Sequence, residues 1–232
     1  MKFLIYSIAG LKVKCEFKYD KMKGRSERYS LETTFDSVYS FEISEKELND
    51  RMGLHIGMPN DQNEVVSSAQ IFFEKAILFD RLLLHAVVVV VDGYAYLFFA
   101  PPSGGKSTLA NNWKNLMRER AFIIADDSPI IGLTNCGVCV WNSCWSKITE
   151  ELKPKEYLLR GIGIIKQSET NKVIPIATSQ AVNEIILGYP EGECRLKVKS
   201  VLQNLVLNVK CWKCYCDKSE KATNMIIDSM IW

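Results

Sequence analysis

Apolar and polar positions along the chain follow two rhythms, one of period two and one of helical spacing. The mostly apolar run from Phe3 to Leu11 passes into alternation through Leu11-Lys12-Val13-Lys14-Cys15, which predicts an opening β-strand. Up to about residue 60, short strand-like runs are separated by polar loops, KYDKMKGRSERYS and then GMPNDQNE. Val66, Ile71, Phe72, Ala76, Ile77 and Phe79 recur at helical spacing and predict a helix over Asn63–Leu83. His85–Phe99 reads as a hairpin, because Asp92-Gly93 separates two runs rich in Val, Tyr and Phe. A Gly-rich turn and a helix over Lys106–Arg118 follow, then an apolar strand over 121–126. Further strands are expected at Ser128–Leu133, Val138–Trp141, Gly161–Lys166 and Val209–Cys216, with helices at Ser179–Leu187, Arg195–Leu205 and Ser219–Met230. Strands and helices that alternate around such a turn define an α/β class with a mixed sheet. Residues 1–60 are expected to form a β-rich part packed on a core of residues 61–232, the two making one globular unit.

Composition narrows the partners. The 232 residues are 47% hydrophobic and 24% charged, enough apolar chain for a sizeable core and too much for disorder. Twenty-nine basic against 27 acidic residues leave a net charge of +2, without the basic excess of a protein that lives on phosphate backbones. Nucleic acid is therefore not the expected partner. The most apolar stretch, Leu82–Ala100, contains His85 and is cut by Asp92-Gly93, so it is not read as a membrane span. The N-terminal apolar run lacks the small-residue cleavage pattern of a signal peptide, and the expected location is the cytoplasm.

Among eight cysteines, the pairs Cys136/Cys139 and Cys211/Cys214 have a spacing that could hold one zinc ion. The alternative is reduced thiols packed as small apolar residues, with Cys214 and Cys216 sharing a strand face with Trp212 and Cys211 on the other. No His lies near either pair, and a chain of this length needs no metal to fold.

The strongest local signal is Ala100-Pro-Pro-Ser-Gly-Gly-Lys-Ser107, a phosphate-binding loop pattern with Ala in place of the first Gly. In such a loop Ser103, Gly104 and Gly105 close backbone N–H groups around phosphate oxygens at a helix N-terminus, with Thr108 in the first turn. Lys106 is placed to reach the β- and γ-phosphates of a nucleotide and Ser107 to ligate Mg²⁺. Asp126 and Asp127 end a strand expected to lie beside the one feeding the loop. Two such carboxylates can divide labour, one on the metal and one as base for an attacking hydroxyl. Spacing alone leaves His85 either at the phosphate end of its hairpin or at the opposite rim.

LLLHAVVVVVDGYAYLFFAPPSGGKSTLA, then IIADD, then LLRGIGIIK resembles the catalytic domain of HPr kinase/phosphorylase, and resembles more closely the short HPr-kinase-like proteins found with ribosomally made peptides, lasso peptides among them. The N-terminal YSIAGLKV is similar to the opening strand of those short proteins. The resemblance implies the mixed-sheet P-loop kinase core of the HPr kinase C-terminal domain, with ATP (or GTP) and Mg²⁺ as cofactors. It implies transfer of the γ-phosphate to a hydroxyl, serine foremost, of a peptide or small protein. By the same resemblance Lys106 contacts the transferred phosphate, Ser107 and Asp126 hold Mg²⁺, Asp127 is the general base, His85 is the active-site histidine, and Arg160 is the arginine of an Arg-Gly-x-Gly motif in the nucleotide site. The family's preceding glutamate, a metal ligand, is Leu158 here, a departure from full HPr kinase/phosphorylase chemistry. Trp145-Ser146-Lys147 resembles a Pro-Trp-Ser-Gly-Lys-type segment of the shorter relatives, without its Pro and Gly. Because the enzyme family forms hexamers, a homo-oligomer is within the implied range.

Two other readings stay open on sequence: a non-catalytic nucleotide-binding accessory protein, to which Leu158 points, and a small-molecule kinase with a Pro-Ser-Gly loop. The latter enzymes place that loop just after their first strand, whereas here it stands far along the chain. A transport or motor ATPase would carry further coupling motifs such as LSGGQ, and none is present.

Overall fold

The computed structural model describes residues 4–32, 38–147, 154–189 and 191–231. The N-terminal part forms a four-stranded sheet in the order β3-β1-β2-β4, from β1 (Leu4–Ile8), β2 (Leu11–Cys15), β3 (Ser30–Leu31) and β4 (Phe41–Ile43). It also holds two helices, α1 (Asp20–Ser26) and α2 (Glu45–Met52), so this part is mixed rather than β-rich. The polar run KYDKMKGRSERYS becomes helical because Met22 is wholly buried and the buried Glu64 carboxylate accepts the N–H groups of Lys18 and Tyr19, at 2.6 and 3.1 Å. Ser44 and Glu47 form a capping box at the start of α2.

Helix α3 (Asn60–Ala76) follows, ending seven residues before the position its apolar spacing predicts. After a short 3₁₀ turn, Asp80 takes a left-handed φ of 52° and Arg81–Leu83 (β5) pairs with a sheet strand. Pairing that buries Leu82 completely outweighs the helical periodicity of this stretch.

The larger sheet has nine strands: β5, β6 (Val87–Val91), β7 (Tyr94–Phe99), β8 (Ala121–Asp126), β9 (Ile130–Thr134), β10 (Gly137–Trp141), β11 (Glu156–Gln167), β12 (Lys172–Ile176) and β13 (Lys210–Cys216). The main path is β5-β9-β10-β11-β7-β6-β8, and β13 pairs with β11 and β12. β7, β11 and β13 run parallel, while the other pairs are antiparallel, so the sheet is mixed. The expected hairpin is β6–β7, turning through Asp92 (φ 49°) and Gly93 (φ 85°), the two left-handed residues that a two-residue hairpin turn favours. β12 has no counterpart in the sequence reading; its half-exposed residues and Pro175 carry little periodic signal.

Period two divides the sheet's side chains between two layers. Val88, Val90, Leu97, Phe99, Ile162 and Ile164 face α5 (Thr178–Ile186) and α6 (Glu193–Leu205). Val87, Val89, Tyr96, Phe98 and Ile165 face α4 (Lys106–Met117) and α7 (Glu220–Ile231). A third cluster joins the small sheet to Ile71, Phe72 and Ala76 of α3 and to Ile130, Cys139 and Trp141 of the large sheet. Among the described residues no helix is long and apolar enough to cross a membrane.

Candidate active site

Everything at the site hangs on the C-terminal end of β7. After Phe99 the chain makes the turn Ala100–Gly105 and enters α4 at Lys106. A side chain at Gly104 would stand 2.6 Å from Ala100 Cβ and 2.7 Å from the Pro101 carbonyl, so only glycine lets the turn close this tightly. Gly105 is left-handed at φ 93°, and Ser103, at φ 59°, shares that conformation at some cost in strain. The Gln167 side-chain amide, at the end of β11, donates to the Ser103 carbonyl at 2.9 Å and steadies the turn. The free N–H groups of the first turn of α4, where Ser107 and Thr108 are exposed, face out of the helix N-terminus, where anions are favoured.

Lys106 is almost buried, at 9% exposure. Its ammonium donates to the Ala100 carbonyl at 2.9 Å and lies 3.2 Å from His85 Nε2. Burial lowers its pKa, and the charges of Asp127 and Asp126 oppose that shift. Ser107 Oγ donates to the Asp126 carboxylate at 3.1 and 3.2 Å.

β8 does not lie beside β7, as the sequence reading expects. The valines of β6 stand between them, pairing with β7 on one edge and β8 on the other. Asp126 and Asp127 nevertheless reach the turn because β8 ends level with its start. Asp127 takes φ 98°, unusual for a non-glycine residue, and is held there by its N–H bond to the Ala86 carbonyl at 3.0 Å. One carboxylate oxygen contacts His85 Nδ1, and the other accepts from Lys147 Nζ at 2.8 Å. The hydrogen bond from His85 holds this carboxyl well below the usual range; burial opposes it and Lys147 reinforces it. Lys147 is correspondingly raised by its bond to Asp127.

The structure therefore brings His85, Ser103, Gly104, Gly105, Lys106, Ser107, Thr108, Asp126 and Asp127 to one place, with His85 at the turn rather than the opposite rim. Arg160 is not among them. It is exposed near the start of β11, its guanidinium 3.9 Å above the Tyr94 ring at the far end of β7. Tyr94 and Phe99 are separated by roughly 16 Å of strand at about 3.3 Å per residue. Leu158 lies at that same far end, paired with Tyr94 and Cys139. The Arg-Gly-Ile-Gly-Ile-Ile stretch has a packing reason instead: a side chain on Gly163 would meet the Phe98 ring at 2.6 Å.

Ser146 and Lys147 join the site without a sequence-derived role. Ser146 Oγ accepts from the Asp126 N–H at 3.0 Å and donates to its carbonyl at 3.1 Å, and the Lys147 N–H donates to the same carbonyl at 3.1 Å. The Trp145-Ser146-Lys147 triplet was the one signal that pointed here. Trp145 anchors it, donating from Nε1 to Ser68 Oγ at 2.9 Å and meeting the Phe72 ring at 4.6 Å.

Ser107 and Asp126 present oxygen ligands only. One carboxylate and one hydroxyl suit Mg²⁺, which keeps waters and takes its remaining ligands from substrate phosphates. A zinc site from the cysteines finds no support among the described residues, where no group of three or more His, Cys, Asp or Glu is arranged to hold a metal. Cys139, Cys211 and Cys214 belong to three different clusters, and Cys211 faces the layer opposite Trp212, Cys214 and Cys216.

A cleft of about 1040 Å³ opens from this cluster. His85, Asp127 and Lys147 line it, and α3 forms one wall. Compared with known proteins, the chain matches no family model and no curated protein.

Proposed function

We propose that this protein is an ATP- and Mg²⁺-dependent cytoplasmic kinase of HPr-kinase-like type that transfers the γ-phosphate to a hydroxyl, serine foremost, of a peptide or small protein. The observation that carries the proposal is the chain of contacts Lys106–His85–Asp127 at a helix N-terminus, beside the Ser107–Asp126 oxygen pair. GTP would fit the same turn.

The backbone N–H groups of Gly105 and Lys106 would hold the triphosphate, that of Gly104 being bonded to the Pro101 carbonyl at 2.9 Å, and the Lys106 ammonium would leave the Ala100 carbonyl for the transferred phosphate. Ser107 and Asp126 would hold Mg²⁺, which would supply neutralisation of the phosphate charge. Asp127, kept ionised by His85 and Lys147, would accept the hydrogen bond of the acceptor hydroxyl and orient it. So acidic a carboxyl takes the proton only late, as the hydroxyl becomes acidic, which suits a loose phosphoryl transition state. With Nδ1–H of His85 donating to the Asp127 carboxylate, Nε2 would present its lone pair to the Lys106 ammonium and help to position it.

The accessory-protein reading draws on Leu158, yet that side chain lies at the far end of β11 from the Ser107–Asp126 pair and removes no ligand there. Incubation with γ-phosphate-labelled ATP, Mg²⁺ and an extract of the source cells tests the proposal. A labelled peptide or protein, formed by the intact chain and not by Asp127→Asn, is expected. Nucleotide-dependent thermal stabilisation without any labelled product would replace it with the accessory reading.

A further inference from the structure

The cleft divides cleanly from the phosphate side of the site. Ala100, Pro101, Pro102, His85 and Asp127 line it, whereas Ser103, Gly104, Gly105, Ser107 and Asp126 do not. Asp127 and His85 therefore stand on the boundary, with one side of the cluster turned to the helix N-terminus and the other to the cleft. Resting on the kinase reading above, a group in the cleft would present its hydroxyl to Asp127 from the face opposite the nucleotide.

The shape of the cleft describes its occupant. One wall is the face of α3 from Gln62 to Glu74, about 18 Å long at 1.5 Å rise per residue. That length matches about five extended residues at roughly 3.3 Å each. Val65, Val66, Ala69 and Phe73 line this wall, and Ile185, Leu187 and Tyr189 line the other. The Phe73 and Tyr189 rings, 5.9 Å apart and stacked, join the two walls. Leu187 is 69% exposed, an apolar side chain that an apolar ligand would cover. Small-molecule pockets run to roughly 1,000 Å³ at their largest, which this cleft already reaches while open to solvent.

Charge narrows the occupant further. Lys21 pairs with Asp61, Arg51 with Glu74, Lys147 with Asp127 and Lys166 with Glu184. Of the lysines and arginines lining the cleft, Arg25 alone has no carboxylate in ion-pair reach among the described residues. It also borders a small hollow with Cys144 and Ser146, which puts it on the side of the cleft where Lys147 lies. An acceptor carrying its own carboxylate near the hydroxyl would supply the missing partner.

We propose that the cleft is the acceptor site and that it takes an extended peptide segment with three parts: a hydroxyl residue at Asp127, a run of about five apolar residues along α3, and an acidic residue on the other side of the hydroxyl, against Arg25. Fluorescein-labelled nonapeptides with a central serine test it. One set carries Leu, Val and Phe on one arm and Asp and Glu on the other, in both chain directions. Control sets replace the apolar arm with Gly and Ser, or the acidic arm with Lys.

Anisotropy without nucleotide reads the cleft, and label transfer from γ-labelled ATP reads the kinase function. The apolar–acidic set is expected to bind at least tenfold tighter than either control. Ala69→Trp, which fills the groove from its half-buried wall, is expected to remove that binding, and Arg25→Glu to reverse the preference toward the Lys set. Leu187→Glu, on an exposed side chain, tests the apolar wall should Ala69→Trp melt early. Equal binding of all sets, or unchanged binding by Leu187→Glu, overturns the proposal. Selective binding without transfer upholds the cleft and removes the kinase reading. Transfer to every peptide alike, or to free serine, overturns the cleft proposal and leaves the kinase standing.

Discussion

Asp127 combines a left-handed backbone with a doubly paired carboxylate, and each depends on the other. The Ala86 carbonyl fixes its N–H, and the resulting φ turns the side chain between His85 and Lys147. Asp127→Asn keeps the shape and removes the charge, so turnover is expected to fall by about 10²- to 10⁴-fold, with nucleotide binding largely kept, as single-turnover and equilibrium binding assays would read. The pairing also has a pH signature. Because the folded-state pKa of Asp127 is depressed, its stabilising contribution is complete above the unfolded value of about 3.9 and is lost as pH falls toward the folded value. Lys147→Ala weakens that depression. Its melting temperature is expected to lie below that of the intact chain at neutral pH, with the gap narrowing only at the most acid end of a series of melts taken down from about pH 7 to the lowest pH at which the fold persists.

At the scale of elements, the legible parts were those whose pattern is local. The β6–β7 hairpin follows from Asp92-Gly93 and the flanking valines, and α4 follows from the loop before it. The helical start of α2 was also written in the chain as Ser44-x-x-Glu47, although its few apolar residues hid it. Ser44→Ala is expected to cost about 1 kcal/mol, and Gly93→Val, which forces a branched side chain into φ 85°, about 1–2 kcal/mol. Thermal melts of the two variants would check both, with shifts of about 2–4 °C per kcal/mol for a chain of this size. What local pattern could not give was pairing. Arg81–Leu83 reads as helix until β9 offers it an edge, and β8 reads as the neighbour of β7 until Val87–Val91 takes both sides. Arg160 was misplaced for a related reason: a motif fixes order along the strand, whereas the parallel register with β7 decides which end of β11 meets the turn.

For the molecule as a whole, Trp145 links the site to the N-terminal part. Its ring lies in the cluster shared by the small sheet and α3, and the next two residues clamp the end of β8. Trp145→Ala is expected to cost about 3–5 kcal/mol and to speed hydrogen exchange at Asp126 and Asp127 more than at the β6–β7 hairpin.

The two walls of the cleft belong to different hydrophobic clusters, α3 to the one with the small sheet and α5 to the one beneath α6. Its width therefore depends on how the two clusters lean on one another, with Phe73 of α3 stacked on Tyr189 where they meet. Substitutions deep in the small sheet, far from any ligand, would then act like a change of calliper setting, altering how tightly an occupant is held while leaving the reacting groups on the large sheet where they were.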